Sequence, residues 1–133
     1  MSLPRINEIA KAVLRREGVK DASISVVFVT ARTMRSYNNR FMHRNYATDV
    51  LAFDLSDDNG PLVGDVLIST DAAQKNAKCY HQSTSRELCL YMIHGILHLT
   101  GYDDHDHNDI VRMQERENVL LESLGQAAQS VCE

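Results

Sequence analysis

Near the start of the chain, Ile6, Ile9, Ala10, Val13 and Leu14 recur at helical spacing, while Arg5, Lys11, Arg15 and Arg16 fill the intervening positions. Ser2 can cap this helix, Pro4 suits its first turn, and Gly18 ends it. From Ser23 to Val29 the residues become β-branched, which predicts a strand with apolar contacts on both faces. Thr30 can cap a second helix running to about Phe41, with Met34, Tyr37 and Phe41 on one side. Thr48–Phe53 and Leu62–Ser69 read as two strands joined through the polar turn Asp57-Asp58-Asn59-Gly60, an antiparallel hairpin. A third helix, capped by Ser69, Thr70 or Asp71, should continue to about Tyr80.

The least polar run follows. Thr84 and Glu87 have capping-box spacing, and from Leu88 to Leu99 the only strongly polar side chains are His94 and His98. A helix apolar all round is buried, and one this short does not cross a bilayer. Gly101 stops it. A last helix is expected from about Asn108 to Leu124, packing through Ile110, Met113, Val119, Leu120 and Leu124, and the tail beyond Gly125 should fray. The pattern predicts one α+β domain over residues 1–133, a small mixed β-sheet with a buried metal-binding helix and surrounding helices.

Composition changes this picture little. Apolar residues make up 44% and charged residues 24%, ordinary for a soluble globular domain. Neither a signal-peptide pattern nor a membrane-length apolar run is present, so no membrane role and a cytoplasmic location are expected. Cys79, Cys89 and Cys132 show no paired spacing and are expected to be reduced thiols.

Charge changes it more. The net charge of −4 conceals +5 in residues 1–53 and −9 in residues 54–133, an asymmetry that can set a basic surface beside an acidic site. Arg32, Arg35, Arg40, His43 and Arg44 occur without an acidic residue between them, with Tyr37, Phe41 and Tyr46 interleaved. This is the pattern of a surface that contacts nucleic-acid backbone and stacks bases, although a solvated helix face has the same composition.

The chemistry gathers around His94-Gly-Ile-Leu-His98-Leu-Thr-Gly101-Tyr-Asp-Asp104-His105. Positions i and i+4 share a helix face, and one metal ion satisfies a ring nitrogen on each buried histidine. Gly95 between them costs about 1 kcal/mol of helix propensity relative to alanine, which suggests a close approach to the backbone there. In zinc hydrolases with the H-x-x-x-H-x-x-G-x-x-H spacing, the third ligand falls where Asp104 stands here. Spacing therefore favours Asp104, and zinc's frequent use of imidazole keeps His105 as the alternative, with Asp103 and His107 behind them. Gly95 replaces the glutamate that H-E-x-x-H peptidases use as a base, which argues against peptide hydrolysis by that route. Glu87 reads better as a capping residue than as a base.

At these residues the sequence resembles the YbeY family of metal-dependent endoribonucleases, whose signature is H-G-x-L-H-L-x-G-Y-D-H. Thr48–Phe53 resembles its T-D-V-L-S-F, Gly64–Ser69 its G-D-I-x-I-S, and Arg86-Glu87-Leu88 the start of its histidine helix. The likeness runs from about Ser23 to Leu124. It implies one zinc ion per chain on His94, His98 and the third position, where Asp104 replaces the usual histidine. It also implies maturation of ribosomal RNA ends and ribosome quality control in the cytoplasm, with precursor ribosomal RNA and the small ribosomal subunit as partners. An arginine common in the family falls on Met42, so Arg40 or Arg44 would take over phosphate contact. The expected function is single-strand-directed endoribonuclease activity through metal-bound water at His94, His98 and Asp104. The alternatives are a non-catalytic ribosome-assembly factor with a structural metal, or a metallohydrolase of another substrate class.

Overall fold

A computed structural model describes residues 3–41 and 49–124. Its described elements follow the order α1 (Leu3–Arg16), β1 (Ala22–Val29), α2 (Ala31–Phe41), β2 (Val50–Asp54), β3 (Leu62–Ser69), α3 (Thr70–Cys79), α4 (Thr84–Leu99) and α5 (His107–Ser123). The strands form a mixed sheet in the order β1-β3-β2, with β1 parallel and β2 antiparallel to β3. The α+β class expected from the pattern is the observed one. Ser2, Thr48 and the tail after Leu124 lie outside the described residues.

The sheet divides the molecule into two cores. On one face Ile24, Val26 and Phe28 of β1 and Val66 and Ile68 of β3 meet Ile6, Ile9 and Val13 of α1 and the apolar sides of α4. On the other, Met34 of α2 covers Leu51 and Leu67, with Val29, Tyr37 and Phe53 around them. Alternation along the strands places these two sets on opposite sides, so α2 and α4 lie across the sheet from each other. Thr30 Oγ1 accepts from the Thr33 amide (3.2 Å) and begins α2 as expected.

Helix α4 is the axis of the larger core. It packs against α1, α3, α5, β2 and β3, and Met92, Ile93, Ile96 and Leu97 are all 0% exposed. The close approach that Gly95 suggested is to the sheet. A Cβ at Gly95 would sit 2.4 Å from Val66 Cγ1 and 3.4 Å from Val50 Cγ2. Gly64 answers it from β3, where a Cβ would lie 2.8 Å from Leu99 Cδ1 and 2.9 Å from the Phe53 carbonyl oxygen. Two glycines let helix and strand lie flush.

Several local expectations need correction. Ser83, not Thr84, caps α4, its Oγ accepting from the Arg86 amide at 3.1 Å. Glu87 is thereby one position too far along for a capping box, and it is instead buried, 7% exposed. Val119 is 50% exposed rather than packed, and Leu121 takes its place on the inner face of α5. Cys79 is a free, exposed thiol and Cys89 is buried, while Cys132 lies outside the described residues.

Candidate metal centre

The i, i+4 spacing on α4 brings His94 and His98 together edge to face, with ring centroids 4.7 Å apart and Nε2 atoms 3.1 Å apart. Their side chains are 26% and 27% exposed, at the edge of the core rather than within it. The helix then stops on a left-handed glycine. Gly101 has φ +112°, its amide donates to the His98 carbonyl (3.3 Å), and the Tyr102 amide donates to the Leu97 carbonyl (3.0 Å). This is the Schellman cap, which closes two orphan carbonyls and reverses the chain. The reversal returns Asp104 over the end of α4.

There Asp104 Oδ2 lies 3.5 Å from His98 Nε2 and 4.0 Å from His94 Nε2. Ligands at zinc distances of about 2.0–2.2 Å in tetrahedral array stand about 3.3 Å from one another. The three ligand atoms lie within 4.8 Å of one another, and the two imidazole nitrogens and the carboxylate oxygen suit a borderline cation, so the cluster is capable of holding a metal ion. His105 is not brought to it. That ring is 77% exposed and sits 3.2 Å from Asp103 Oδ1 instead.

One further participant is absent from the residues singled out by sequence. His94 Nδ1 lies 2.6 Å from Glu117 Oε1 of α5, and the Glu117 side chain is 13% exposed. A carboxylate accepts and does not donate, so the proton of His94 belongs on Nδ1 and the Nε2 lone pair is left facing His98 and Asp104. Glu117 interrupts the inward stripe Met113, Leu120, Leu121 and Leu124 of α5. An acid on an apolar stripe was the available signal. A cleft of about 280 Å³ lined by His94, Asp104, Ile110, Met113, Gln114 and Glu117 opens beside the cluster. Asp104, with a side chain 51% exposed, forms its outer wall.

With this geometry in view, likeness to known proteins becomes decisive. The family profile described as Endoribonuclease YbeY matches residues 3–125. The chain belongs to the YbeY family. A curated relative named Endoribonuclease YbeY from Anaeromyxobacter sp. (strain Fw109-5) is 40% identical over 123 residues, covering 91% of this chain and 64% of its own length. The chain therefore spans somewhat under two thirds of that relative. Another of the same name, from Carboxydothermus hydrogenoformans, is 36% identical over 124 residues, covering 90% of this chain and 86% of the relative. The solution structure of a Thermotoga maritima protein superposes with a TM-score of 0.69 at 25% identity, covering 98% of this chain and 86% of the other. Within the YbeY family pattern, the H-G-x-L-H-L helix and its glycine turn are thus the segment that builds the cluster here.

The expected RNA contacts divide differently. Arg40, at the end of α2, places its guanidinium 5.9 Å from the centroid of the Phe41 ring. Phe41 stacks on Tyr37 (5.7 Å) and meets Phe53 edge-on (5.7 Å), so this basic and aromatic group lies on the α2 side of the sheet, away from α4. Met42 and Arg44 lie outside the described residues. Among the described residues, no helix is long and apolar enough to cross a membrane.

Proposed function

We propose that the protein is a zinc-dependent, single-strand-directed endoribonuclease that acts on precursor ribosomal RNA in the cytoplasm, in ribosome maturation and quality control at the small subunit. The observation that carries this reading is an open three-ligand cluster at the end of α4 in a chain of the YbeY family. His94, His98 and Asp104 would hold one zinc ion. Three protein ligands leave a coordination position free, which is the arrangement of catalytic rather than structural zinc. When bound, the ion supplies Lewis acidity toward a phosphoryl oxygen and lowers the pKa of a coordinated water.

The chain's own groups do the rest. Glu117 holds His94 in the tautomer whose Nε2 faces the cluster, and the Gly101 cap brings the Asp104 carboxylate over it. Arg40 and Arg44 would hold the RNA backbone, and Phe41, 52% exposed, offers a ring on which a base can stack. The absence of glutamate at position 95 supports phosphoryl transfer over peptide hydrolysis.

Elemental analysis of the purified protein, alongside cleavage of a ribosomal RNA precursor, tests the proposal. One zinc per chain and discrete cuts are expected, both lost in His98→Ala. Retention of metal and cutting by that variant would overturn the metal site, and a fully loaded wild type that cuts no RNA would overturn the nuclease. Products ending in a 2′,3′-cyclic phosphate would point to attack by the RNA's own 2′-hydroxyl rather than by water.

A further inference from the structure

Helix α1 ends as α4 does, on a Schellman cap. The Gly18 amide donates to the Arg15 carbonyl (3.1 Å), the Val19 amide donates to the Leu14 carbonyl (2.9 Å), and Gly18 has φ +75°. This cap brings Val19 back toward Leu14, and a pocket of about 540 Å³ forms around it. Leu14, Val19 and Ala22 supply its apolar lining, and Lys11, Arg15 and Lys20 stand around it. No acidic side chain lines the pocket. Glu17, the acid of the same turn, is turned away to Arg116 Nε at 2.6 Å, and among the described residues no ion pair engages Lys11, Arg15 or Lys20. Three like charges held around one concavity repel each other and favour an anion between them.

The pocket also lies on the useful side of the molecule. Helix α1 packs with α4 in the core on the histidine side of the sheet, whereas Arg40 belongs to the α2 side. Helix α5 joins the end of α1 and the cluster through two successive residues. Arg116 bonds Glu17 and the Arg16 carbonyl oxygen at the end of α1, and Glu117 bonds His94.

We infer that Lys11, Arg15 and Lys20 form a nucleotide-binding pocket that grips one unit of a single RNA strand on the histidine side of the sheet. The phosphate lies among the three cations and the base rests on Leu14, Val19 and Ala22. This inference rests on the proposed RNA substrate. An apolar floor beneath a ring of cations suits a nucleotide better than free phosphate, and a base is available to that floor only when unpaired.

The test is fluorescence anisotropy of the full chain with a labelled 2′-O-methyl oligouridylate over a range of salt concentrations. Replacing Lys11, Arg15 and Lys20 together with glutamine should weaken binding and reduce the magnitude of the log–log salt slope by about 0.7, the value for one phosphate contact on a single strand. The charge-matched control Lys75→Gln, Lys78→Gln, Arg86→Gln should leave the slope near that of wild type, and Lys11→Arg with Lys20→Arg should preserve binding. An equal loss in pocket and control variants would mean that net charge alone matters and would overturn the pocket. So would an unchanged slope in the pocket variant, or loss of polyglutamate binding with RNA binding intact, which would assign the pocket to an acidic protein. If wild type binds no RNA at all, the proposed substrate falls together with the pocket.

Discussion

Nδ1 of His94 and Oε1 of Glu117, 23 residues apart in sequence, lie 2.6 Å from each other across the α4–α5 interface. The contact decides which nitrogen of His94 faces the cluster, and it ties that choice to the seating of α5. Removing a partner of this kind ordinarily costs about 10–100-fold in metal affinity. Glu117→Ala should show a loss in that range by chelator competition, with the His94 ring nitrogens losing their fixed tautomer in ¹⁵N spectra of the metal-free protein. Glu117→Gln keeps an acceptor oxygen and should fall between wild type and alanine. An unchanged affinity and tautomer in Glu117→Ala would make Glu117 an ordinary interface residue.

Asp104 and His105 are neighbours in sequence with different surroundings. Asp104 Oδ2 is within 4.0 Å of both histidines of α4, whereas His105 pairs with Asp103 at the surface. Asp104→Ala is therefore expected to abolish stoichiometric zinc binding, and His105→Ala to leave it intact. Isothermal titration with zinc distinguishes the two, and the opposite pattern would move the third ligand to His105.

Gly95→Ala sets two effects against each other. In an exposed helix the change would gain about 1 kcal/mol of helix propensity. Here the new methyl would meet Val66 Cγ1 at 2.4 Å, and Val66 is 0% exposed with no room to retreat. Overpacking costs about 1–3 kcal/mol, so a net loss of stability is expected in urea unfolding. Shortening Val66 to alanine in the same chain should make the Gly95→Ala step less costly than it is alone.

The helices and strands were legible because their apolar residues repeat at helical or strand spacing and because Gly18 and Gly101 mark chain reversals. The histidine pair was legible for the same reason, since α4 alone fixes the relation of residues 94 and 98. What the pattern could not carry was tertiary. Glu87 has the spacing of a capping residue, and only the packing of α3 beside α4 shows that it is buried near Tyr91. Glu117 belongs to the cluster through the docking of α5, which no local period encodes. The charge of Arg40 suits an RNA contact, but which face of the sheet carries it is set by strand alternation, which puts α2 across from α4.

Tyr91 provides a pH signature for the interior. It is 6% exposed and receives a hydrogen bond from Asn76 Nδ2. Burial above all, with the nearby Asp49 and Glu87 charges, pushes its hydroxyl up to about 12 from the ordinary 10.0. The unfolded chain thus loses this proton first as pH rises, so the contribution is whole below pH 10 and declines toward pH 12. Thermal melts across that interval should show falling stability, and Tyr91→Phe should flatten the part of the fall that Tyr91 causes. An identical decline in the variant would assign alkaline sensitivity to other groups.

The central position of β3 also sets an order of assembly. Asp54 pairs with Gly64 after a short excursion, whereas Ala22 must find Leu62 forty residues away. A fourfold longer closure costs about 1.2 kcal/mol more in chain entropy, so the β2–β3 hairpin has the advantage in forming first. On a growing chain, β1 emerges early and waits with its apolar side uncovered until β3 has left the ribosome. Of the three described strands, β1 is made before the other two and paired last, and α1, which shares its core, waits with it.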